Sequence, residues 1–179
     1  KVAGEIAQRE VEYLLAVGNI QVHAGKALGR DISLAQLRRD YDAVFLGAGL
    51  GGVNGLGIEE GGITGVFDAI AYIETLRQTK NLAALPVGRK VVVIGGGMTA
   101  IDMACQTRRL GAEDVTIVYR RGQEQMSASD KEQGWAQTNG VRIKHWSKPL
   151  RLVTEKFAVS AVEFEYTKLG AGGKLAGTG

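Results

Sequence analysis

The chain has 179 residues, 45% apolar and 23% charged, so wholesale disorder, a collagen-like repeat and a disulfide-stapled miniprotein are excluded as classes. Its net charge of +3 comes from 22 basic residues interspersed with 19 acidic ones, which argues against a nucleic-acid partner. A single cysteine, Cys105, allows neither an internal disulfide nor an iron-sulfur cluster held by four thiolates within these residues.

The first predicted element is an amphipathic helix over 4–17, where Ile6, Val11, Leu14 and Leu15 recur at helical spacing. A short strand is expected over Asn19 to His23, then a helix from Leu34 to Arg39 with Ser33 as its N-cap. Tyr41 to Gly47 is a short apolar run that ends in glycine, and its continuous hydrophobicity reads as a buried strand of a parallel, doubly covered sheet. Nine glycines from Gly47 to Gly65, without helical period, mark a connector between two lobes. Within it, Gly47-Ala48-Gly49-Leu50-Gly51-Gly52 fails as a nucleotide fingerprint, because Val53-Asn54-Gly55-Leu56-Gly57 cannot continue it as a helix with an apolar face.

Val66 to Gln78 is amphipathic again. Lys90 to Gly95, Thr99 to Leu110 and Asp114 to Tyr119 read as strand, helix and strand, a βαβ unit of about 30 residues. A helix over Ser129 to Gln137 and a third parallel strand over Gly140 to Trp146 come next. Leu150 to Val153, Val159 to Tyr166 and Lys174 to Ala176 form a small antiparallel meander. The expected fold is α/β, a Rossmann-like parallel sheet with that meander. No apolar run reaches bilayer length and the start lacks a signal-peptide core, so a soluble, cytoplasmic chain without a membrane partner is expected. Its start at Lys1 and its stop at Gly177-Thr178-Gly179 suggest an excised piece.

The strongest functional signal is Gly95-Gly96-Gly97-Met98-Thr99-Ala100, a G-x-G-x-x-A pattern between a buried strand and a helix. Gly95 permits the tight turn, Gly97 lets backbone approach a pyrophosphate, and Ala100 lets helix and strand pack closely. Met98 and Thr99 stand at the helix start, where free N–H groups and the positive dipole end hold phosphates. The bland alternative is a flexible loop in an unliganded α/β domain.

The tip of the second strand decides the dinucleotide: an acid there binds the ribose 2′-OH of NAD, and a base accommodates the 2′-phosphate of NADP. Here it reads Tyr119-Arg120-Arg121, which favours NADPH over NADH, against the alternative of a solvated basic turn. Lys131 could add charge. Asp102 is open between complementing the helix dipole, closing a capping box with Thr99, and facing the nicotinamide or its ribose. Met126, Ser127 and Ser129 could cover the adenosine or form a plain loop. His23 and His145 lack ligand-spaced partners, so no metal site is expected, and Cys105, Trp135 and Trp146 read as packing residues.

Val91 to Asp102 (VVVIGGGMTAID) and Leu110 to Arg121 (LGAEDVTIVYRR) resemble the pyridine-nucleotide domain of the glutamate synthase small (beta) subunit family, to which flavin-containing small subunits of bacterial dihydropyrimidine dehydrogenases are close relatives. Tyr41 to Asn54 is similar to the segment where that family's chain leaves its FAD domain. The resemblance implies a partial FAD-domain segment over 1–48, an interdomain connector over 49–65, and a C-terminally truncated NAD(P)H-binding domain over 66–179. It also implies FAD in the full-length protein, iron-sulfur clusters only outside these residues, and hydride passage from C4 of NADPH to N5 of the flavin, with electrons going on to a large catalytic subunit. Gly95, Gly97, Ala100, Arg120 and Arg121 match family positions, Asp102 matches a family acid, and Met98 stands where many members have Asn. The whole would be an enzyme and the piece alone nearly inactive. Outside that family, the same residues would suit a non-catalytic nucleotide-binding module or an anion-binding interaction domain.

Overall fold

A computed structural model of the chain describes residues 5–49, 52, 54–58 and 61–178. They divide into two units, Lys1–Gly49 and Leu50–Gly179. The first holds α1 (Ile6–Val17) and α2 (Leu34–Asp40). Helix α2 starts where Ser33 Oγ accepts the Gln36 N–H at 3.1 Å, the N-cap expected from the sequence.

Neither strand expected in this unit forms. Asn19 takes a left-handed φ of 61°, residues 19–23 are irregular, and so are 41–47, where Phe45 is 95% exposed. A strand exists only by pairing, and an apolar run supplies a face without supplying a partner. Among the described residues of this unit none is fully buried, so its apolar side chains have no cover to pack against.

The second unit carries α3 (Ala69–Gln78), β1 (Lys90–Ile94), α4 (Met98–Arg109), β2 (Asp114–Val118), α5 (Asp130–Thr138) and β3 (Val141–Lys144). After these come β4 (Ser147–Glu155), β5 (Ala158–Leu169) and β6 (Leu175–Gly177). Helix α3 begins three residues later than its apolar period suggests, because Asp68 Oδ1 accepts the N–H groups of Ile70 and Ala71, both at 2.9 Å, and sets the start there. Tyr72 anchors the helix by donating its hydroxyl to Pro86 O at 2.8 Å, and burial pushes its pKa up.

Strands β1, β2 and β3 form a parallel sheet in that order, with Ile94 beside Val118 and Val118 beside Lys144. Val93, Val115, Ile117 and Val141 from the sheet meet Ile101, Ala104 and Cys105 of α4 and Ala136 of α5 in one core. Each large aliphatic side chain buried there contributes about 1.5–3 kcal/mol relative to exposure. Helix α5 starts at a reciprocal cap: Ser129 Oγ accepts the Glu132 N–H, and Glu132 Oε2 accepts the Ser129 N–H at 2.8 Å.

The meander is an antiparallel sheet in the order β4-β5-β6, with strands longer than the apolar pattern indicates. Its hairpin turns at Lys156 and Phe157, both left-handed (φ 49° and 64°). The end of the glycine-rich stretch runs along this turn: Thr64 donates its N–H to Phe157 O and accepts the N–H of Val159, each at 2.9 Å. Among the described residues no helix is long and apolar enough to cross a membrane.

Candidate functional site

Because β1 and β2 are parallel and in register, they release the chain at the same sheet edge, and Gly95 N–H continues the pairing by donating to Val118 O at 3.0 Å. Gly95 has φ 148°, a conformation L side chains rarely adopt, and a Cβ there would stand 3.4 Å from that of Ala100. Gly96 is required by proximity instead: a Cβ would fall 2.6 Å from the ring of Tyr119.

Gly97 is the N-cap of α4, and its carbonyl accepts the first helical bonds, from Ala100 N (3.0 Å) and Ile101 N (3.2 Å). The N–H groups of Met98 and Thr99 lie ahead of that first bond. Helices α2, α3 and α5 start under side-chain caps from Ser33, Asp68 and Ser129, whereas α4 has none. Its first turn therefore keeps oriented donors and the positive end of the helix dipole for an anion. Of the readings open for Asp102, the capping box with Thr99 does not form, because Gly97 rather than Thr99 is the cap and Thr99 is already inside the helix. Asp102 is buried in the second turn, with Oδ2 3.5 Å from Arg77 Nη2 of α3, so its carboxylate is directed at that neighbouring helix.

At the tip of β2, Tyr119 donates its N–H to Lys144 O (2.8 Å) and its hydroxyl to Gln125 O (2.7 Å), which holds its ring over Gly96. Arg120 is exposed and Arg121 half-buried. Among the described residues neither guanidinium has an ion-pair partner, whereas Arg89, Arg142 and Arg151 are bound by Glu113, Asp114 and Glu163. No acid follows β2 before Glu124.

The chain then returns to the glycine loop, where Ala128 N–H donates to Gly96 O at 3.0 Å and Ser127 Oγ lies 3.5 Å from the same oxygen. This strap is a part of the site that motif reading misses, since nothing in Ser127-Ala128 marks it as a partner of a glycine 31 residues earlier. Met126 does not cover a ligand: its side chain belongs to the core. Ser129 is the cap of α5, and Lys131 is an exposed residue of that helix. Met98 is exposed beside the loop and Ala100 is buried beneath it.

His23 lies in an irregular segment rather than a strand, and His145 sits one residue past β3, where burial lowers its pKa. Among the described residues no cluster of His, Cys, Asp or Glu could hold a metal ion. The donor set at the start of α4 and the two cationic side chains fit a dinucleotide with an extra phosphate. Of the glycine run after Phe45, residues 50, 51 and 53 lie outside the described residues; among the described ones, Gly52 and residues 54–58 form no helix and so offer no helix start to a flavin diphosphate.

A family model described as pyridine nucleotide-disulphide oxidoreductase matches residues 3–179. The chain is 33% identical over 170 residues to the NADP(+)-dependent formate dehydrogenase subunit beta of Moorella thermoacetica, covering 93% of this chain and 23% of that protein. It is 34% identical over 181 residues to the glutamate synthase [NADPH] small chain of Escherichia coli (strain K12), covering 95% of this chain and 38% of that one. Among solved structures, T. acidophilum thioredoxin reductase aligns with a TM-score of 0.48 and 15% identity, over 70% of this chain and 37% of that one. The chain spans 23% and 38% of the length of the two curated relatives. Cys105, the one cysteine, is fully buried, so the disulphide of the family's description has no counterpart within these residues. The match through nearly the whole length, together with these identities, establishes that the chain belongs to the pyridine nucleotide-disulphide oxidoreductase family.

Proposed function

We propose that the chain is the NADPH-binding part of a flavoprotein oxidoreductase of the glutamate synthase small-subunit type, which passes hydride from NADPH to FAD and electrons onward to a larger partner subunit. One observation carries the reading: a single sheet edge bears both the uncapped start of α4 and a turn with two guanidiniums that are unpaired among the described residues and no carboxylate of its own before Glu124. The diphosphate would lie against the N–H groups of Met98 and Thr99, where Gly95 and Ala100 let strand and helix close up. Arg120 and Arg121 would meet the 2′-phosphate with charge-assisted hydrogen bonds, while the bare ribose of NADH finds no acceptor there. Asp102, paired with Arg77, would support α4 from behind the loop. Bound NADPH supplies the hydride, and these residues bind and orient it. No residue of the chain is assigned to the flavin. The relatives support the nucleotide and the subunit character through their names, as an NADP(+)-dependent subunit beta and an [NADPH] small chain.

Calorimetric titration tests the reading. The protein should bind NADPH more tightly than NADH, and Arg120→Ser with Arg121→Ser should remove that preference, at about 1.5–3 kcal/mol for each charge-assisted pair lost. No saturable binding of either nucleotide would end the nucleotide assignment. An unchanged preference would end the assignment of the arginines.

A further inference from the structure

The turn that bears the two arginines is held by the antiparallel sheet as well as by the strand that leads into it. Three successive carbonyls of the turn accept hydrogen bonds from the base of that sheet. Ser147 N–H donates to Tyr119 O (3.1 Å), Thr167 Oγ1 donates to Arg120 O (2.7 Å), and Trp146 N–H donates to Arg121 O (3.1 Å). The three donors are themselves locked together. Thr167 N–H donates to Trp146 O at 2.9 Å, Trp146 is held in a left-handed conformation (φ 56°), and its indole packs so closely on Gly122 that a Cβ there would lie 2.7 Å from Cζ2. Thr167, in β5, is 5% exposed.

Only the middle bond of the three comes from a side chain, and it falls on the peptide between the two arginines. That peptide's orientation determines where both guanidiniums leave the backbone. The glycine loop is fastened through Ala128 N–H and the Tyr119 ring on Gly96, and neither contact uses the Thr167 hydroxyl. Loss of the Thr167 hydroxyl would therefore free the adenosine end of the crevice and leave the diphosphate end in place. A carbonyl stripped of its buried donor also turns to find water, which gives the turn a reason to move.

We propose that Thr167 is a positioning residue for nucleotide selectivity, whose hydroxyl aims the Arg120-Arg121 turn at a 2′-phosphate from a different sheet. This role rests on the reading of those arginines as the 2′-phosphate clamp. It gives the antiparallel sheet a part in recognition that the dinucleotide fingerprint does not reveal.

The test compares dissociation constants for NADPH and NADH in the wild type, Thr167→Val, Thr167→Ser, Thr167→Ala and the double arginine variant, with thermal unfolding measured on each. Valine keeps the shape and removes the donor. The ratio of NADPH to NADH affinity should fall about three- to tenfold, the weight of one intramolecular hydrogen bond, with NADH binding nearly unchanged, and serine should restore the ratio. A merely structural role would lower the melting temperature and weaken both nucleotides equally, and that result overturns the proposal. If Thr167→Val does not fold, Thr167→Ala against Thr167→Ser gives the same comparison. If neither hydroxyl-free variant folds while serine does, the residue is structural and the proposal is likewise overturned. A ratio that falls in the arginine variant but not without the hydroxyl rejects the role of Thr167 and keeps the clamp. A ratio unmoved by the arginine variant rejects the clamp itself and the role of Thr167 with it.

Discussion

Gly96 and Tyr119 meet across the sheet edge with no room between them, and this contact sets the shape of the glycine loop. Gly96→Ala forces either the ring or the loop to move, at about 1–3 kcal/mol for overpacking a filled site. The double variant Gly96→Ala/Tyr119→Ala should lose less stability than the sum of its single variants, by about 1 kcal/mol or more as expected for residues in contact. Urea unfolding midpoints of the four proteins measure this, and strict additivity would mean the contact carries no strain. The two outer small residues of the pattern are legible from their spacing, since Gly95 needs its positive φ and Ala100 packs against it. The demand on Gly96 is not, because it comes from an aromatic side chain 23 residues away whose rotamer is fixed by Gln125 O. Met126 escapes sequence reading for a related reason: its neighbours are polar, yet the return from Gln125 to Ala128 turns its side chain into the core.

Elements whose start depends on a local cap are readable, and their caps are where they are most easily damaged. Ser129 holds the first turn of α5 by a reciprocal pair with Glu132, so Ser129→Ala should cost about 1 kcal/mol and Ser129→Asp much less, read as shifts in the denaturant midpoint. The βαβ unit is legible within a residue or two because strand, glycine turn and helix are all specified by neighbours in sequence. The expected strands over 19–23 and 41–47 fail because pairing is a property of two segments, and hydrophobicity reports on only one. The meander outgrows its apolar pattern for the opposite reason. Lys148 faces Glu165 and Arg151 faces Glu163 across β4 and β5, with ion pairs at 2.8 and 2.6 Å, so charged residues occupy strand positions that apolar alternation cannot register.

For the molecule as a whole, pH dependence should centre on His145, which lies between the parallel sheet and β4. Its Nε2 is buried without a hydrogen-bond partner among the described residues, and burial holds its pKa below the ordinary value. The folded state thus prefers the neutral ring. The stability this contributes is complete above the usual histidine value of about 6.5 and is lost as pH falls through the lowered folded value. Melting temperatures between pH 7.5 and 5 should fall more steeply in the wild type than in His145→Gln, and parallel curves would assign the acid sensitivity to other groups.

The hydroxyl of Thr167 stands 47 residues downstream of the carbonyl it holds. On the ribosome, the glycine loop and both arginines are therefore made well before their brace. At 5–20 residues per second the delay is roughly 2–10 s. During that interval a nascent chain could close its parallel sheet and still lack a turn able to tell a phosphorylated ribose from a bare one. Discrimination between the two nucleotides would be acquired only when the β4-β5 hairpin docks, after the glycine loop and both arginines are in place.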